Sequence, residues 1–470
     1  MPKGISCISF LILLSTALVV PANLTAQVDR GSIVGAISDP TGARVAGAQV
    51  TVTNRETNQA TRVTSDDAGN YKADLLRIGT YSVSVEKAGF QRAVQNSVEV
   101  AVNQSARVDF ALRLGSVNQT TEVNAAPPLL ETEASSLGTI ETERRISSLP
   151  LNGRDFIQLA YLGPGANGGQ TGSNVKGGVF ENERANEAVS VNGLRVSNNN
   201  FLLNGVDNNE FGLGGVIVLP APDAIQEFRT EENSMSAEFG RGGAAVNVVL
   251  KSGTNQVHGG VYEFIRNDKL DAVNYFNQGQ QPFKRNQFGA FLGGPIKKNK
   301  TFIFGDYQGS RLRESQPFLS TVPSDAERVG NFSDRLTQET FSPCGSLATP
   351  ATTYDTGAIF NPLTTKLATC SDGITQVLVR DPFPGNIIPL NATDRVGLNV
   401  ASFYPHANLP GLTNNYLANQ NHLNDQDQFD VRLDHRFRDE DQIFASYSFG
   451  DVRSQRPGPL GPLFGGSDCC

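Results

Sequence analysis

The sequence predicts a mainly β protein: an N-terminal β-sandwich of Ig-like type, a mixed α/β domain, and the first strands of an incomplete transmembrane antiparallel β-barrel. Apolar and polar residues alternate in many short runs, which is the period of a strand with one buried face. The 470 residues include 47 Gly and 24 Pro but no Trp, and this composition favours turns over long helices. Towards the C-terminus the alternating runs lengthen and one face becomes strongly charged, which is typical of a membrane barrel.

Residues 1–26 have the layout of a secretory signal peptide. Lys3 supplies the positive charge, residues 8–20 form the apolar run, and small residues near Ala26 suit a cleavage site. The alternative is a short membrane anchor. It is disfavoured because the run is shorter than the roughly 20 residues that a spanning helix needs. We therefore expect an exported protein.

Residues 27–115 are predicted to form a small β-sandwich. Tyr81, Val83 and Val85 alternate with polar residues, and similar runs surround Val50 and Val98. Asp- and Gly-rich turn signals separate the runs, and about seven short strands at this spacing are typical of a sandwich. Residues 116–136, which include two adjacent prolines, are predicted to be a linker.

Residues 137–253 contain sequence patterns of both helices and strands. Residues 140–149 have Glu and Arg at helical spacing, and Asp155 is the predicted N-cap of a short helix. A second helix is predicted to start at Pro222 with Asp223 as its cap. Short strands are predicted at residues 189–191, 201–203 and 245–250.

Residues 254–470 are predicted to begin a barrel. Phe429, Val431 and Leu433 alternate with charged residues, and after a polar turn the alternation resumes at Ile443. Earlier candidate strands cover residues 258–267, 286–293 and 301–308, and residues 313–422 form a long, irregular outer loop. The alternative is a large soluble sandwich, which the strand length and the charged row disfavour.

Cysteine usage fits an exported protein. Cys344 and Cys370 lie in the predicted outer loop and are the candidate disulfide, with two free thiols as the alternative. No CxxC pair occurs, so no zinc set is predicted.

Nothing in the sequence indicates an enzyme. The four His residues form no HExxH motif, no GxSxG occurs, and the GxGxxG at residues 163–168 is followed by a loop rather than a helix. We therefore predict no catalytic, metal-binding or cofactor-binding residues and no cofactor. The net charge of −8 disfavours nucleic acid as a partner.

The first domain resembles the carboxypeptidase-regulatory-like domain, which is not catalytic despite its name. The resemblance rests on GSIVG at residues 31–35, DAGNY at 67–71, GTY at 79–81 and KAGF at 87–90.

The rest of the chain resembles TonB-dependent receptors, in the subgroup with such an N-terminal domain. The matching stretches are LPLNGRDF (149–156), VNGLR (191–195), LNGVD (203–207), PDAIQEF (222–228), AEFGRGG (237–243), VNVVLKSGTN (246–255), YEFIRND (262–268) and RNQFG (285–289). On this resemblance residues 137–253 are the plug domain. The residues taken from its motifs are Asn192, Gly193, Arg195, Asn204, Gly205, Asp207, Arg241, Gly242 and Gly243.

The resemblance implies active import across the bacterial outer membrane. The implied partners are TonB of the inner-membrane energy-coupling complex, outer-membrane lipid, and an extracellular ligand whose class stays open between an oligosaccharide and a metal chelate. The alternatives are an outer-membrane adhesion or surface-assembly protein on the same scaffold, and a soluble β-rich binding protein. The family's barrel has about 22 strands, and roughly five are recognisable here. The chain is therefore expected to be an N-terminal fragment that cannot close a pore.

Such receptors present a TonB box, a short segment that pairs with TonB by strand addition. The candidate lies in the linker and consists of Gln119, Thr120, Thr121, Glu122, Val123, Asn124 and Ala125. The alternative is a plain linker.

Overall fold

The computed structural model of the protein describes residues 30–115, 120–122, 137–168, 189–210, 216–233, 240, 242–273, 280–345, 353–438, 441–460 and 466–469. The predicted signal peptide lies outside these residues, as do Gln119, Val123, Asn124, Ala125 and Arg241. In the described part, no helix has both the length and the apolarity that a membrane span requires.

The chain forms two compact units. The first comprises Met1–Glu263, Phe288–Gly309 and Asp427–Asp451, and the second comprises Phe264–Gln287, Ser310–Gln426 and Val452–Cys470. Strands dominate both units, so the predicted mainly β class is confirmed.

The N-terminal part of the first unit consists of two sheets, which we call the sandwich. Its strands are β1 (Gly31–Ser38), β2 (Gln49–Asn54), β3 (Ala60–Thr64), β4 (Asn70–Leu76), β5 (Gly79–Glu86), β6 (Arg92–Val100), β7 (Ser105–Arg107), β8 (Phe110–Ala111) and β9 (Thr120–Glu122). One sheet has the order β4-β1-β7 with β8 also on β1, and the other has the order β3-β2-β5-β6-β9.

The sandwich core follows the alternation in the sequence. Val50, Val52, Val83 and Val85 are fully buried, and they pack with Ile33, Phe110 and other residues of the same segment in one cluster. A side chain at Gly35 would place its Cβ 1.9 Å from the Val108 carbonyl oxygen. Glycine there allows β1 to lie close to the chain that follows β7.

We expect residues 28–114 expressed alone to unfold in one cooperative transition, because every member of this core lies within them. Ile33→Ala should lower the free energy of unfolding by about 2–5 kcal/mol. Leu114→Ala, at a residue that is 70% exposed, is the matched control and should change little. Circular dichroism during urea titration measures both, and a chain without a cooperative transition would contradict the expectation.

The middle segment, residues 137–253, forms a second sheet with its own core. Its elements are β10 (Leu137–Thr142), α1 (Glu143–Ser148), β11 (Ala166–Gly168), β12 (Val189–Val191), β13 (Asn200–Leu203), β14 (Val206–Asp207), β15 (Ile225–Asn233) and β16 (Ala245–Leu250). The main sheet has the order β10-β15-β16-β13-β14. As predicted, Asp155 caps a short helix: it accepts a hydrogen bond from the Ile157 amide at 3.0 Å, at the start of the 3₁₀ helix Phe156–Leu162.

Two helix predictions in this segment need correction. The helix expected from Pro222 is a single 3₁₀ turn, Pro222–Ala224, whose N-cap is Ala221 rather than Asp223. Strand β15 starts directly after it because Ile225 and Phe228 are buried in the sheet core. Asp223 instead pairs with the Arg154 guanidinium. The helical pattern of residues 140–149 begins only at Glu143, since the preceding residues pair with β15.

The third group of strands we call the long-strand sheet. Its members, in sheet order, are β17 (His258–Asn267), β18 (Phe283–Lys297), β19 (Thr301–Ser320), β24 (Tyr416–Arg436), β25 (Gln442–Pro457) and β26 (Gly466–Cys469). The predicted alternation on β24 is confirmed. Asp430, Arg432 and Asp434 are at most 4% exposed, whereas Val431 and Leu433 are 39% and 40% exposed. Among the described residues this sheet is open at β17 and β26.

The predicted irregular loop, residues 313–422, is shorter and more structured than expected. Strand β19 continues to Ser320, and β24 begins at Tyr416. Between them lie β20 (Thr340–Phe341), β21 (Tyr354–Asp355), β22 (Lys366–Thr369), β23 (Gln376–Val379) and α2 (Arg395–Phe403). Asn415 and Val322, at the two ends of this segment, contact each other. Oδ1 of Asn415 accepts a hydrogen bond from the Val322 amide, and Nδ2 of Asn415 donates one to the Val322 carbonyl, both at 2.9 Å.

Cys344 and Cys370 form a disulfide within this loop. In the isolated protein, peptide mapping by mass spectrometry without reduction should recover the two cysteines in one linked pair. The bond closes a loop of 26 residues, so Cys344→Ser should destabilise the loop locally by about 3 kcal/mol and speed its cleavage by protease. Cys469→Ser is the control. Two free thiols in the oxidised protein would contradict this prediction.

Candidate functional site: a buried charged junction

Three charged side chains meet inside the first unit, and we call them the junction: Arg77, Arg432 and Asp434. Arg77 follows β4 in the sandwich, and the other two lie two residues apart on β24. The Asp434 carboxylate pairs with the Arg77 guanidinium and lies 3.2 Å from Nε of Arg432. All three side chains are at most 10% exposed. Buried charges are stable only when they are paired, so these residues depend on one another.

The junction extends into the middle segment through Arg432. Its Nη1 donates to Oδ1 of Asn204 at 3.1 Å and to the Leu250 carbonyl at 3.2 Å. Asn204 Oδ1 also accepts from the Leu250 amide at 3.0 Å. Asn204 and Gly205 have φ angles of 51° and 78° and form the two-residue turn between β13 and β14. Asn-Gly is favoured at such turns because both residues need positive φ.

A second buried contact joins the sandwich to the middle segment. The Val102 amide, just after β6, donates to the carboxylate of Glu227 on β15. Burial raises the pKa of Glu227 to about 7, although the Val102 hydrogen bond and Arg229 favour the charged form. This carboxyl therefore changes charge near neutral pH while it holds the sandwich.

Further polar contacts join the sandwich to its neighbours in the first unit. Nη2 of Arg436 donates to the Ala60 carbonyl at 2.5 Å, and the Asn255 amide donates to the Glu56 carbonyl at 3.1 Å. Nδ2 of Asn58 lies 3.3 Å from Oδ1 of Asn299. Backbone carbonyls accept several of these bonds, so the contacts depend on the fold of the sandwich as well as on its side chains.

A polar cavity of about 580 Å³ lies beside the junction. Polar and charged residues dominate its lining, among them Arg30, Arg55, Glu56, Lys251 and His258. Lys251 Nζ is paired with Glu143 at 2.7 Å. Over the described ranges, His, Cys, Asp and Glu do not gather in threes or more in a way that would hold a metal ion. The cavity is polar and large enough to hold water.

The raised pKa of Glu227 predicts a pH dependence of stability. In the unfolded chain the carboxyl has its ordinary pKa of 4.5, and in the folded protein the pKa is about 7. The folded state therefore binds the proton more tightly. Its stabilisation is complete below the unfolded pKa and is lost as pH rises through the folded pKa. The loss amounts to at most about 3 kcal/mol.

Glu227→Gln should remove this dependence, because the amide oxygen can still accept from Val102 but carries no charge. We expect the variant to be more stable than the original protein at about pH 8 and to show a flatter profile between about pH 5 and pH 8. Thermal unfolding across this range measures the effect. Glu86→Gln, at a half-exposed carboxylate in the sandwich, is the control, and an unchanged profile in Glu227→Gln would contradict the assignment.

The structure places the other predicted motif residues in turns and close backbone contacts. Asn192 and Gly193 form a positive-φ turn after β12, and Nδ2 of Asn192 donates to the Glu232 carbonyl at 3.0 Å. Asp207 accepts from the Asn209 amide at 2.8 Å. A Cβ at Gly243 would lie 2.6 Å from Oδ1 of Asn199.

Arg195 and Gly242 are exposed. Of the described motif residues, Asn204 is the one whose side chain reaches the junction. The motif residues therefore form turns and close backbone contacts within the middle segment, and they do not come together in one cluster of side chains.

Part of the candidate TonB box is described. Residues Thr120–Glu122 form β9, which pairs in parallel with β6 at the edge of the sandwich sheet; Ala93 lies opposite Thr121. The segment is extended, as a strand-addition motif requires.

Sequence reasoning did not identify the junction. In the sequence, Arg432 and Asp434 belong to the row of charged residues that alternates with Phe429, Val431 and Leu433. Their opposite charges, two residues apart on one strand, are the one local sign that they could pair. Arg77 gave no signal, because its partner is distant in the chain.

The comparisons with known proteins agree with this organisation. Residues 32–113 match the carboxypeptidase regulatory-like domain, and residues 249–468 match the outer membrane beta barrel domain. The TonB-dependent transporter Oar of Myxococcus xanthus is 26% identical over 351 residues, which cover 70% of this chain and 31% of that protein. The chain thus spans about a third of the length of this curated relative.

Solved structures show weaker likenesses. The outer membrane transporter YddB of Escherichia coli is 12% identical, with a TM-score of 0.40, over 68% of this chain and 34% of that chain. The ferric enterobactin receptor PfeA of Pseudomonas aeruginosa is also 12% identical, with a TM-score of 0.34, over 67% and 33%. Scores of this size do not establish a shared fold.

The sequence matches carry the assignment. Residues 32–113 and 249–468 thus match a carboxypeptidase regulatory-like domain and an outer membrane beta barrel domain. The protein is a homologue of a TonB-dependent transporter, and these matches indicate an outer-membrane location.

Proposed function

We propose that this protein takes part in TonB-dependent import of an extracellular ligand, with the middle segment as the plug and the long-strand sheet as part of the barrel wall. The observation that carries the proposal is the match with a TonB-dependent transporter over 70% of the chain. In this proposal residues 1–26 are a signal peptide, residues 27–115 the accessory domain, residues 116–136 the linker, and residues 137–253 the plug.

The attachment of the plug to the wall supports this role. Arg432 on the wall holds the plug through one side-chain oxygen and one backbone carbonyl. The apolar contact beside it is small: Ala221, Ala224 and Leu250 of the plug pack on Phe304 of the wall. These hydrogen bonds and this apolar cluster lie outside the plug's main core cluster, so they can rearrange under force without the loss of that core.

The coupling site is proposed to be the segment of residues 119–125. Strand addition by TonB needs an extended backbone with accessible hydrogen-bonding groups. Thr120–Glu122 already adopts such a conformation. The short parallel pairing of β9 with β6 can be exchanged for pairing with a strand of TonB, so TonB can bind this segment and pull on it.

The ligand class stays open between an oligosaccharide and a metal chelate, so the test uses both. Cells with or without this protein, each with or without TonB, are given fluorescent oligosaccharides and radiolabelled ferric chelates. Uptake of one probe class that needs both proteins supports the proposal. Uptake that is the same without TonB would contradict energy coupling. Loss of surface attachment without any loss of uptake would point to an adhesion protein instead.

A further inference from the structure

We propose that the sandwich is a releasable clamp, which holds the plug and the wall in the resting arrangement and must undock before the plug can move. The proposal rests on the proposed function and adds a regulatory step to it. In the described first unit, the sandwich contacts β15 of the plug through Glu227 and β24 of the wall through Asp434 at the same time.

The sandwich can undock as a folded body. Its core cluster draws all its members from residues 33–112, and the core cluster of the plug draws its members from residues 146–248. The two clusters share no residue. Separation therefore leaves both hydrophobic cores intact and avoids the large cost of exposing core side chains.

Three of the contacts that hold the sandwich are polar and specific. The Val102 amide donates to Glu227 of the plug, and Arg77 pairs with Asp434 of the wall. Arg436 of the wall donates to the Ala60 carbonyl of the sandwich. Such contacts fix an orientation, but each can be replaced by water after release.

The cavity at this contact makes release feasible. Its volume of about 580 Å³ and its polar and charged lining provide room for water beside the junction. Water can then reach Arg77 and Arg432 as the sandwich leaves, so the buried charges need not pass through an unpaired, dry state. A dry apolar interface of the same extent would resist separation far more strongly.

The position of β9 places the clamp in the path of the force. Thr120–Glu122 pairs with Arg92–Val94 at the start of β6, and the same strand leads to Val102, which binds Glu227. A pull on Thr120–Glu122 therefore acts directly on the edge of the sandwich. Undocking becomes the first step of opening.

The test cross-links the sandwich to the wall and measures whether the plug still rearranges. Asn58→Cys and Asn299→Cys introduce two exposed thiols where the side chains lie 3.3 Å apart, and a reducible bis-maleimide links the sandwich to the wall in de-energised cells. Ser190→Cys reports plug opening, because Ser190 in β12 is 4% exposed and the new thiol can react with biotin maleimide only after the plug rearranges. The background carries Cys469→Ser and Cys470→Ser.

The matched control links two residues inside the sandwich, the half-buried Ser82 and the exposed Asn96. Ser82→Cys and Asn96→Cys replace side chains that are 2.9 Å apart on neighbouring strands, and this link leaves the sandwich free to undock. Both proteins go through the same linking, energising and labelling steps, with and without TonB.

We expect the link between positions 58 and 299 to abolish the TonB-dependent part of Ser190→Cys labelling. Reduction of the link, followed by blocking of the released thiols with N-ethylmaleimide in the de-energised state, should restore it. The control link should leave that part unchanged. TonB-dependent labelling that persists in the fastened protein would overturn the clamp alone. Failure of the two thiols to be linked in resting cells would overturn the docked arrangement. Labelling that never depends on TonB, even in the unlinked protein, would overturn the proposed function and the clamp with it.

Discussion

In a full-length version of the protein, deletion of residues 119–125 should reduce uptake to the level of cells without TonB, while ligand binding at the cell surface stays unchanged. The deletion removes the strand that pairs with β6 and the extended backbone on which TonB would act. Ligand binding should survive because β9 is a short strand at the edge of the sandwich sheet and contributes no residue to the sandwich core cluster. Uptake and surface binding of the probe identified in the transport screen are the two measurements.

A second deletion of the same length provides the control. Residues 129–135 lie in the same linker but outside the candidate segment, and their removal shortens the linker equally. Full loss of uptake in the second deletion with normal uptake in the first would place the coupling segment in residues 129–135. Equal loss in both would show that linker length, rather than a recognition segment, limits transport.

Asp434→Ala should be the most destabilising single substitution in the junction. The Asp434 side chain is 4% exposed and pairs with both Arg77 and Arg432. Its removal leaves two buried guanidinium groups without their carboxylate. Breaking a buried pair in this way costs about 3–5 kcal/mol, since the remaining charge is uncompensated. Thermal unfolding of the membrane-embedded protein, followed by proteolytic release of the sandwich, measures the loss.

Two variants test the cause of this loss. Leu433→Ala changes the neighbouring residue on the same strand, which is 40% exposed, and should change stability much less. Arg77→Ala combined with Asp434→Ala removes one of the two uncompensated charges and should recover part of the lost stability. If the double variant is as unstable as the sum of the single ones, the pairing of Arg77 with Asp434 contributes no coupling energy.

The sequence by itself determined the strands and most turns, because these depend on neighbouring residues. Alternation with period two placed Val50, Val83 and Val431 on the correct faces of their strands. Asn204-Gly205 formed a two-residue turn because those residue types tolerate positive φ. Asp155 capped its helix as predicted.

Prediction from neighbouring residues failed where a segment could form either a helix or a strand and tertiary contacts decided between them. Residues 222–228 have a plausible helix start, yet Ile225 and Phe228 are fully buried and lie in a strand between β10 and β16. Burial of these side chains in the sheet core outweighs the weak helix signal.

Only the tertiary structure decided which charged residues form pairs. Arg77 has nothing in its own neighbourhood that distinguishes it from other surface arginines, and Glu227 sits in a segment whose charges look solvated. Their roles depend on Asp434 and Val102, which chain folding brings to them from distant positions. Burial then makes those pairings obligatory, because a charge removed from water must find a partner. The junction, and the clamp inferred from it, therefore became visible only in the folded protein.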